Sequence, residues 1–186
     1  MTFSNNWFEI TAKANFEKYL LPYAKLDNLS FLEIGCYEGQ ASVWLMENTL
    51  ADLTVIDTFE GSEEHDKQFE KTLLARFSDN IEGHQDRVEV LVGTSQKHLK
   101  TLKNKTYDFI YIDGDHHAKN ALEDAILAFP LLKQGGRMIF DDYTWGQGMD
   151  LYDTPRAGID AFLTVYGNQL EILDKNSQVV IKKLPT

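Results

Sequence analysis

Between residues 29 and 142, short apolar runs alternate with longer stretches in which apolar residues recur every three or four positions. "LSFLEIG" (29–35), "DLTVID" (52–57), "RVEVLVG" (87–93), "YDFIYID" (107–113) and "RMIFDD" (137–142) have the length and composition of buried strands. Between them, Gln40–Asn48 and Glu63–Phe77 read as helices, the second with a polar face. A short helix capped by Ser95 is expected through Leu102. A further helix is expected after Asp113, running to about Leu132, bent near Pro130 and stopped by Gly135–Gly136.

The end of the chain breaks this rhythm. Thr154–Pro155 forms an N-cap and first-turn pair for a helix through Val165, and "QLEILD" and "SQVVIKK" flank Lys175–Asn176 as a hairpin. Near the start, Trp7, Phe8, Ile10, Phe16, Tyr19 and Leu20 are spaced as one or two helices laid across a sheet. Regular strand–helix alternation implies parallel strands with right-handed crossovers. The expected fold is therefore α/β and Rossmann-like: a doubly wound, mostly parallel seven-stranded sheet with helices on both faces. Its last two strands would form an antiparallel C-terminal hairpin. No repeat or linker divides residues 1–186, so one domain is expected.

In open α/β sheets ligands bind beyond the carboxyl ends of the strands. Glu33–Gly39, Asp57, Gly93–Ser95, Asp113–His116 and Asp141–Asp142 would all converge on that edge.

Composition narrows what could bind there. The formal net charge is −11, with no basic stripe, so nucleic acid and anionic membrane surfaces are disfavoured as partners. The longest apolar run, Ala125–Leu132, is far too short to span a bilayer, and the N-terminus has no signal-peptide pattern. A single cysteine, Cys36, suits a reducing compartment, and the expected location is cytoplasmic. The edge of the C-terminal hairpin could pair with a second copy, so a homodimer is possible in principle.

The loop "EIGCYEG" (33–39) puts Gly35 and Gly39 between strand and helix. A tight turn alone would account for two glycines. A dinucleotide fingerprint would need a glycine where Tyr37 stands, and a P-loop would need a Lys-Ser/Thr ending. Glu33 would repel a pyrophosphate but attract an ammonium or sulfonium, and Asp57 suits ribose hydroxyls. A cationic nucleoside without phosphates meets both conditions, and S-adenosylmethionine is the common one.

With these residues in view, the sequence resembles class I S-adenosylmethionine-dependent methyltransferases, particularly their divalent-metal O-methyltransferase branch (catechol, caffeoyl-CoA and macrocin types). "FLEIGCYEGQAS" is similar to that branch's first motif, "TVIDTFEG" to its ribose-binding motif and "VLVGTSQ" to the segment touching adenine. "YDFIYIDGDHHAKNALEDAILAFPLLKQGGRMIFDDY" is similar to its fourth and fifth strands. The resemblance spans roughly residues 29–145. It implies S-adenosylmethionine as cofactor, held by Glu33, Gly35, Gly39, Asp57, Thr94, Ser95 and Asp113.

It also implies a metal site. Asp113, Asp141 and Asp142 would offer three hard oxygen ligands to Mg²⁺, with Mn²⁺ or Ca²⁺ as substitutes. Alternatively, Asp141 and Asp142 bond only to loop amides and Asp113 only orients the cofactor. A bound cation would lower the pKa of an acceptor hydroxyl. The acceptor's proton would pass to His116, which stands where the catechol type has Lys, or to Asp115, the base position of the macrocin type. Asp115 could instead cap the following helix, with His116 in its first turn and His117 facing away. The expected partner is a small hydroxylated molecule.

The remaining chemistry is bland. His65, His84 and His98 read as surface residues, Cys36 as a buried thiol, and Glu60–Lys71 as a solvated face. Tyr143 and Trp145 either wall a substrate or anchor their loop. Competing readings are a metal-independent methyltransferase acting on an N or other O nucleophile, an NAD-dependent oxidoreductase, and a cofactor-binding protein without catalysis.

Overall fold

The computed structural model describes residues 1–23, 25–61 and 72–185. Among these, seven strands form one sheet: β1 (Ser30–Ile34), β2 (Asp52–Asp57), β3 (Val88–Val92), β4 (Tyr107–Ile112), β5 (Leu132–Phe140), β6 (Leu170–Lys175) and β7 (Val179–Lys183). Their order is β3-β2-β1-β4-β5-β7-β6. The first five run parallel, and β7 is antiparallel to both β5 and β6. The chain winds outward from β1 to β3 and then restarts at β4 on the other side of β1. That reversal opens the crevice between the tips of β1 and β4 in which doubly wound sheets bind ligands.

Alternating side chains supply two apolar faces. Phe31, Val55, Phe109 and Tyr111 pack beneath α1 (Trp7–Thr11), α2 (Lys13–Leu20), α3 (Gln40–Asn48) and α4 (Leu73–Asn80). There Phe16 meets Trp44, Phe109 and Tyr111 edge-on at 4.9–5.6 Å between ring centroids. Leu32, Ile34, Ile110 and Ile112 face α5 (Ser95–His98), α6 (Ala118–Ala128) and α7 (Arg156–Tyr166) on the other side. The expected helical N-terminus, doubly wound sheet and C-terminal hairpin are all present.

Several boundaries differ from expectation. The helix after β4 does not reach Leu132: α6 ends at Ala128, a 3₁₀ turn covers Phe129–Leu131, and β5 begins at once. Pro130 lies in that turn, where its ring and missing N–H forbid another α-helical bond. Gly135 and Gly136 therefore lie within β5, not at a helix end, and the β4–β5 register shifts alongside them. A Cβ on Gly136 would lie 2.9 Å from the Asp108 carbonyl, so this irregular stretch needs a bare backbone. α5 stops at His98, short of Leu102, and its N-cap is Thr94 rather than Ser95. Pro155, not Thr154, occupies the N-cap of α7. Most of the expected Glu63–Phe77 helix, all of its polar face up to Lys71 and His65 lie outside the described residues. No helix among the described residues is long and apolar enough to cross a membrane.

Candidate active site

The loop after β1 is set by backbone geometry. Gly35, Tyr37 and Gly39 all have positive φ (79°, 51° and 87°), which folds residues 35–39 into a tight cradle ahead of α3. Gly35 also touches the neighbouring strand's tip: a Cβ there would lie 2.0 Å from the Asp113 carbonyl oxygen. Asp57, at the tip of β2, organises this cradle from the other side. Its Oδ2 accepts the N–H groups of Cys36 (2.7 Å) and Tyr37 (3.0 Å), and its Oδ1 accepts that of Phe59 (2.7 Å). A carboxylate has about four acceptor positions, so the three amides leave room for one more donor.

Glu33 is 1% exposed and accepts a hydrogen bond from the Ser42 hydroxyl at 2.5 Å. Burial lifts its carboxyl to about 8, the charge of Asp57 adds to the rise, and the Ser42 bond opposes it. A buried acid of this kind calls for a cationic neighbour. Cys36 is likewise buried and its thiol pushed up by burial and the nearby carboxylates, so it is not a ready nucleophile.

At the tips of β4 and β5, Asp113, His116 and Asp142 each direct a ligand atom to one place, all within 4.8 Å of one another. His116 Nε2 is 3.0 Å from Asp142 Oδ2. Asp142 adopts φ +56°, a left-handed conformation that Asp and Asn tolerate better than most residues. Asp141 stands behind this group: its Oδ2 takes the Tyr111 hydroxyl, which also reaches Asp113 at 3.0 Å, while its Oδ1 accepts the Asp142 N–H at 2.8 Å. The trio that converges therefore contains His116 in the place expected for Asp141. Two carboxylate oxygens and an imidazole, all partly accessible, suit a divalent cation that keeps open positions.

The electrostatics point the same way. Burial, then the charges of Asp141 and Asp142, push the Asp113 carboxyl well above the usual carboxylate range. Burial and Asp142 lift Asp141 to about 6. Without a counter-charge this edge holds protons in place of a cation.

Asp115 points elsewhere. Its Oδ1 accepts the His117 N–H at 2.8 Å and approaches His117 Nδ1 at 2.6 Å, on an exposed turn. The N-cap of α6 is His117, so Asp115 caps the turn before the helix, and His116 precedes the helix instead of lying in its first turn. The His117 ring is exposed. Tyr143 is buried and anchored, with its hydroxyl on Asp160 at 3.0 Å, whereas the partly exposed Trp145 ring lies 4.6 Å from that of His116. Tyr143 is the loop anchor, and Trp145 borders the site. His84 contacts Arg87 at the opposite end of the sheet, whereas the His98 ring lies against the Val92 carbonyl at the tip of β3, apart from the acidic group of β4 and β5.

Several participants were not singled out in the sequence. Glu38 is 1% exposed, paired with Arg76 and bonded to the N–H of Ser4, so residues 1–5 strap down the cradle. Thr2 and Asn80 complete the strap at 2.8 Å. Ser42 sits one helical turn inside α3, and Tyr111 is an inward residue of β4. The Ser95 hydroxyl donates not to its own helix but to Asp124 on α6, at 2.5 Å. The one signal for Asp124 was its place on the α6 stripe formed by Ala121, Ala125 and Ala128.

Strand order and the crevice at the tips of β1 and β4 define a doubly wound α/β domain of the kind that binds ligands at its strand tips. Residues 32–143 match the family described as Methyltransferase domain, and the chain belongs to it. It is 30% identical over 118 residues to a catechol O-methyltransferase of Mycobacterium tuberculosis, covering 63% of this chain and 50% of that protein. The chain spans about half the length of the curated relatives it matches. Among solved structures, an O-methyltransferase from Bacillus cereus in complex with SAH superposes with a TM-score of 0.65 at 22% identity, covering 95% of this chain and 88% of that one. MycE methyltransferase of the mycinamycin biosynthetic pathway, in complex with Mg, SAH and mycinamycin VI, superposes with a TM-score of 0.66 at 14% identity, covering 98% and 51%. These likenesses agree with the Rossmann-like methyltransferase fold.

Proposed function

We propose that this domain transfers a methyl group from S-adenosylmethionine to a hydroxyl oxygen of a small molecule, assisted by a divalent cation. The observation that carries the reading is the convergence of Asp113, His116 and Asp142 beside the cradle that Gly35 presses against Asp113. Mg and SAH occur together in MycE, a protein of similar fold, which supports pairing the two sites.

The cofactor, when bound, supplies an electrophilic methyl on sulfur, and a cation lowers the acceptor hydroxyl's pKa and fixes its oxygen. Glu33 takes the ammonium of the cofactor's methionine end. Asp57 offers its remaining acceptor position to the ribose, while Gly35 and Gly39 let the chain turn closely around it. Thr94 and Ser95 border the adenine, and Asp113 closes the same pocket from β4.

Asp113, His116 and Asp142 hold the cation. Asp141 orients the group through Tyr111 and the Asp142 amide and can join it by turning one oxygen. An imidazole in the set shifts preference from Mg²⁺ toward Mn²⁺ or similar ions. When Asp141 takes that place, His116 Nε2 exchanges its contact with Asp142 Oδ2 for the acceptor hydroxyl and accepts its proton. Asp115, turned to His117, is the poorer base. Transfer would break the cofactor's C–S bond as the acceptor's C–O bond formed, and His116 would carry away the hydroxyl proton. The acidic edge favours neutral or cationic acceptors over polyanions and nucleic acid.

A screen of small hydroxylated compounds with S-adenosylmethionine and Mg²⁺ or Mn²⁺, read as the mass gain of one methyl, tests this reading. Loss of the product in excess chelator is expected. Full turnover in chelator would move the protein to metal-independent methyl transfer.

A further inference from the structure

A cavity of about 460 Å³ opens at the opposite end of the strands, but both of its cations are engaged. Arg87 donates to the carbonyls of Met46, Thr49 and Ala51, and Lys105 pairs with Glu89. Its other charged residues, Asp52 and Asp86, form no cluster that points to a ligand. Asp124 differs from all of these groups.

Asp124 is 2% exposed, on the stripe of α6 where Ala121, Ala125 and Ala128 meet the core. An acid at such a place costs stability unless both oxygens are satisfied. Among the described residues its one hydrogen-bond donor is Ser95, to Oδ1 at 2.5 Å. Oδ2 faces the loop after β4, where a Cβ built on Gly114 would lie 3.4 Å away. Burial lifts the carboxyl to about 7, with the charges of Asp115 and Glu123 adding and Ser95 opposing. One buried side chain thus bonds Ser95, where the β3 loop enters α5, and faces Gly114 in the loop after β4. In the strand order these loops flank the tips of β2 and β1, where Asp57 and Glu33 stand.

We propose that Asp124, bonded to Ser95 and packed under Gly114, is a positioning residue that holds the two loops bracketing the cofactor's adenosine at a fixed separation. The inference rests on the S-adenosylmethionine reading above. A merely structural acid would stabilise the fold without affecting the ligand. A positioning acid changes ligand affinity, does so through Ser95, and is replaceable by an isostere that still accepts the Ser95 hydroxyl.

The test is calorimetry with S-adenosylhomocysteine on the parent chain and on Ser95→Ala, Asp124→Ala, Asp124→Asn and the double alanine variant. Ser95→Ala and Asp124→Ala should each weaken binding about tenfold, and the double variant about as much as the weaker-binding single, because the pair acts as a unit. Asp124→Asn should bind within about threefold of the parent, since its amide oxygen still accepts from Ser95. Parental affinity in Asp124→Ala, or single losses that add in the double variant, would overturn the proposal. Should Asp124→Ala fail to fold, Asp124→Leu takes its place in the same cycle: parental affinity or losses that add to those of Ser95→Ala overturn the proposal, and a tenfold loss that does not add upholds it. A parent chain that ignores S-adenosylhomocysteine sinks the cofactor reading, whereas a binding parent with unaffected variants sinks the positioning role alone.

Discussion

Gly35 and Asp113 are in direct contact across the two central strand tips, so that the cofactor cradle and the acidic group share one wall. Gly35 has φ +79°, and a Cβ there would overlap the Asp113 carbonyl at 2.0 Å. Gly35→Ala therefore meets both backbone strain, worth about 1–3 kcal/mol, and a clash that moves Asp113. The variant should unfold at lower denaturant concentration than the parent. An unchanged midpoint would mean that the two tips are not locked together.

Glu33 makes stability depend on pH in a direction opposite to that of an ordinary surface acid. Its ordinary value is 4.5 and burial raises it to about 8, so between those values the folded chain holds a proton that the unfolded chain has lost. Stability from this group falls as pH rises through that range. Glu33→Gln should flatten the fall, measured as melting temperature against pH.

The same proton reports on the ligand. A cofactor ammonium placed beside Glu33 lowers its pKa, so binding S-adenosylhomocysteine near neutral pH should release roughly one proton per molecule. Calorimetry in buffers of different ionisation enthalpy measures this release directly. In Glu33→Gln the release should vanish along with most of the affinity.

Asp57 holds the cradle together through three backbone amides, and the proposed function gives it the ribose as well. Asp57→Ala leaves the amides of Cys36, Tyr37 and Phe59 without their acceptor, at about 1–3 kcal/mol for each that water does not reach. Both denaturant stability and S-adenosylhomocysteine affinity should drop. A variant that loses affinity alone would assign Asp57 to the ribose only.

The acidic group can be tested without an acceptor. Mn²⁺ or Mg²⁺ should raise the melting temperature of the parent, and Asp113→Asn should abolish the shift. His116→Ala and Asp141→Asn then compete. Loss of the shift in His116→Ala makes the imidazole a ligand, whereas its loss in Asp141→Asn alone restores the all-oxygen set and leaves His116 as the base.

The sheet was legible because its strands are short apolar runs separated by helical periodicity, and the converging edge follows from their parallel order. Boundaries were less so. Leu131 and Leu132 continue an apolar helical pattern, and only the packing against β4 turns Leu132 into strand. Paired glycines that suggested a helix stop instead serve a strand irregularity. In the site, Glu33, Asp57 and the Asp113–Asp142 edge could be found because strand ends are identifiable. Which oxygen of Asp141 meets Tyr111, or that Asp115 turns to His117, depends on rotamers and loop dihedrals that no spacing encodes. Ser95 was expected to cap its own helix; Asp124, 29 residues further on in α6, takes that hydroxyl instead.

Calorimetry of the parent chain against S-adenosylhomocysteine and, in parallel, against NAD⁺ tests the central claim most directly. Glu33 at the floor of a cradle with Tyr37 in place of the second glycine predicts a saturable, one-to-one heat with S-adenosylhomocysteine and none with NAD⁺. Tight binding of NAD⁺ with no response to S-adenosylhomocysteine would contradict it.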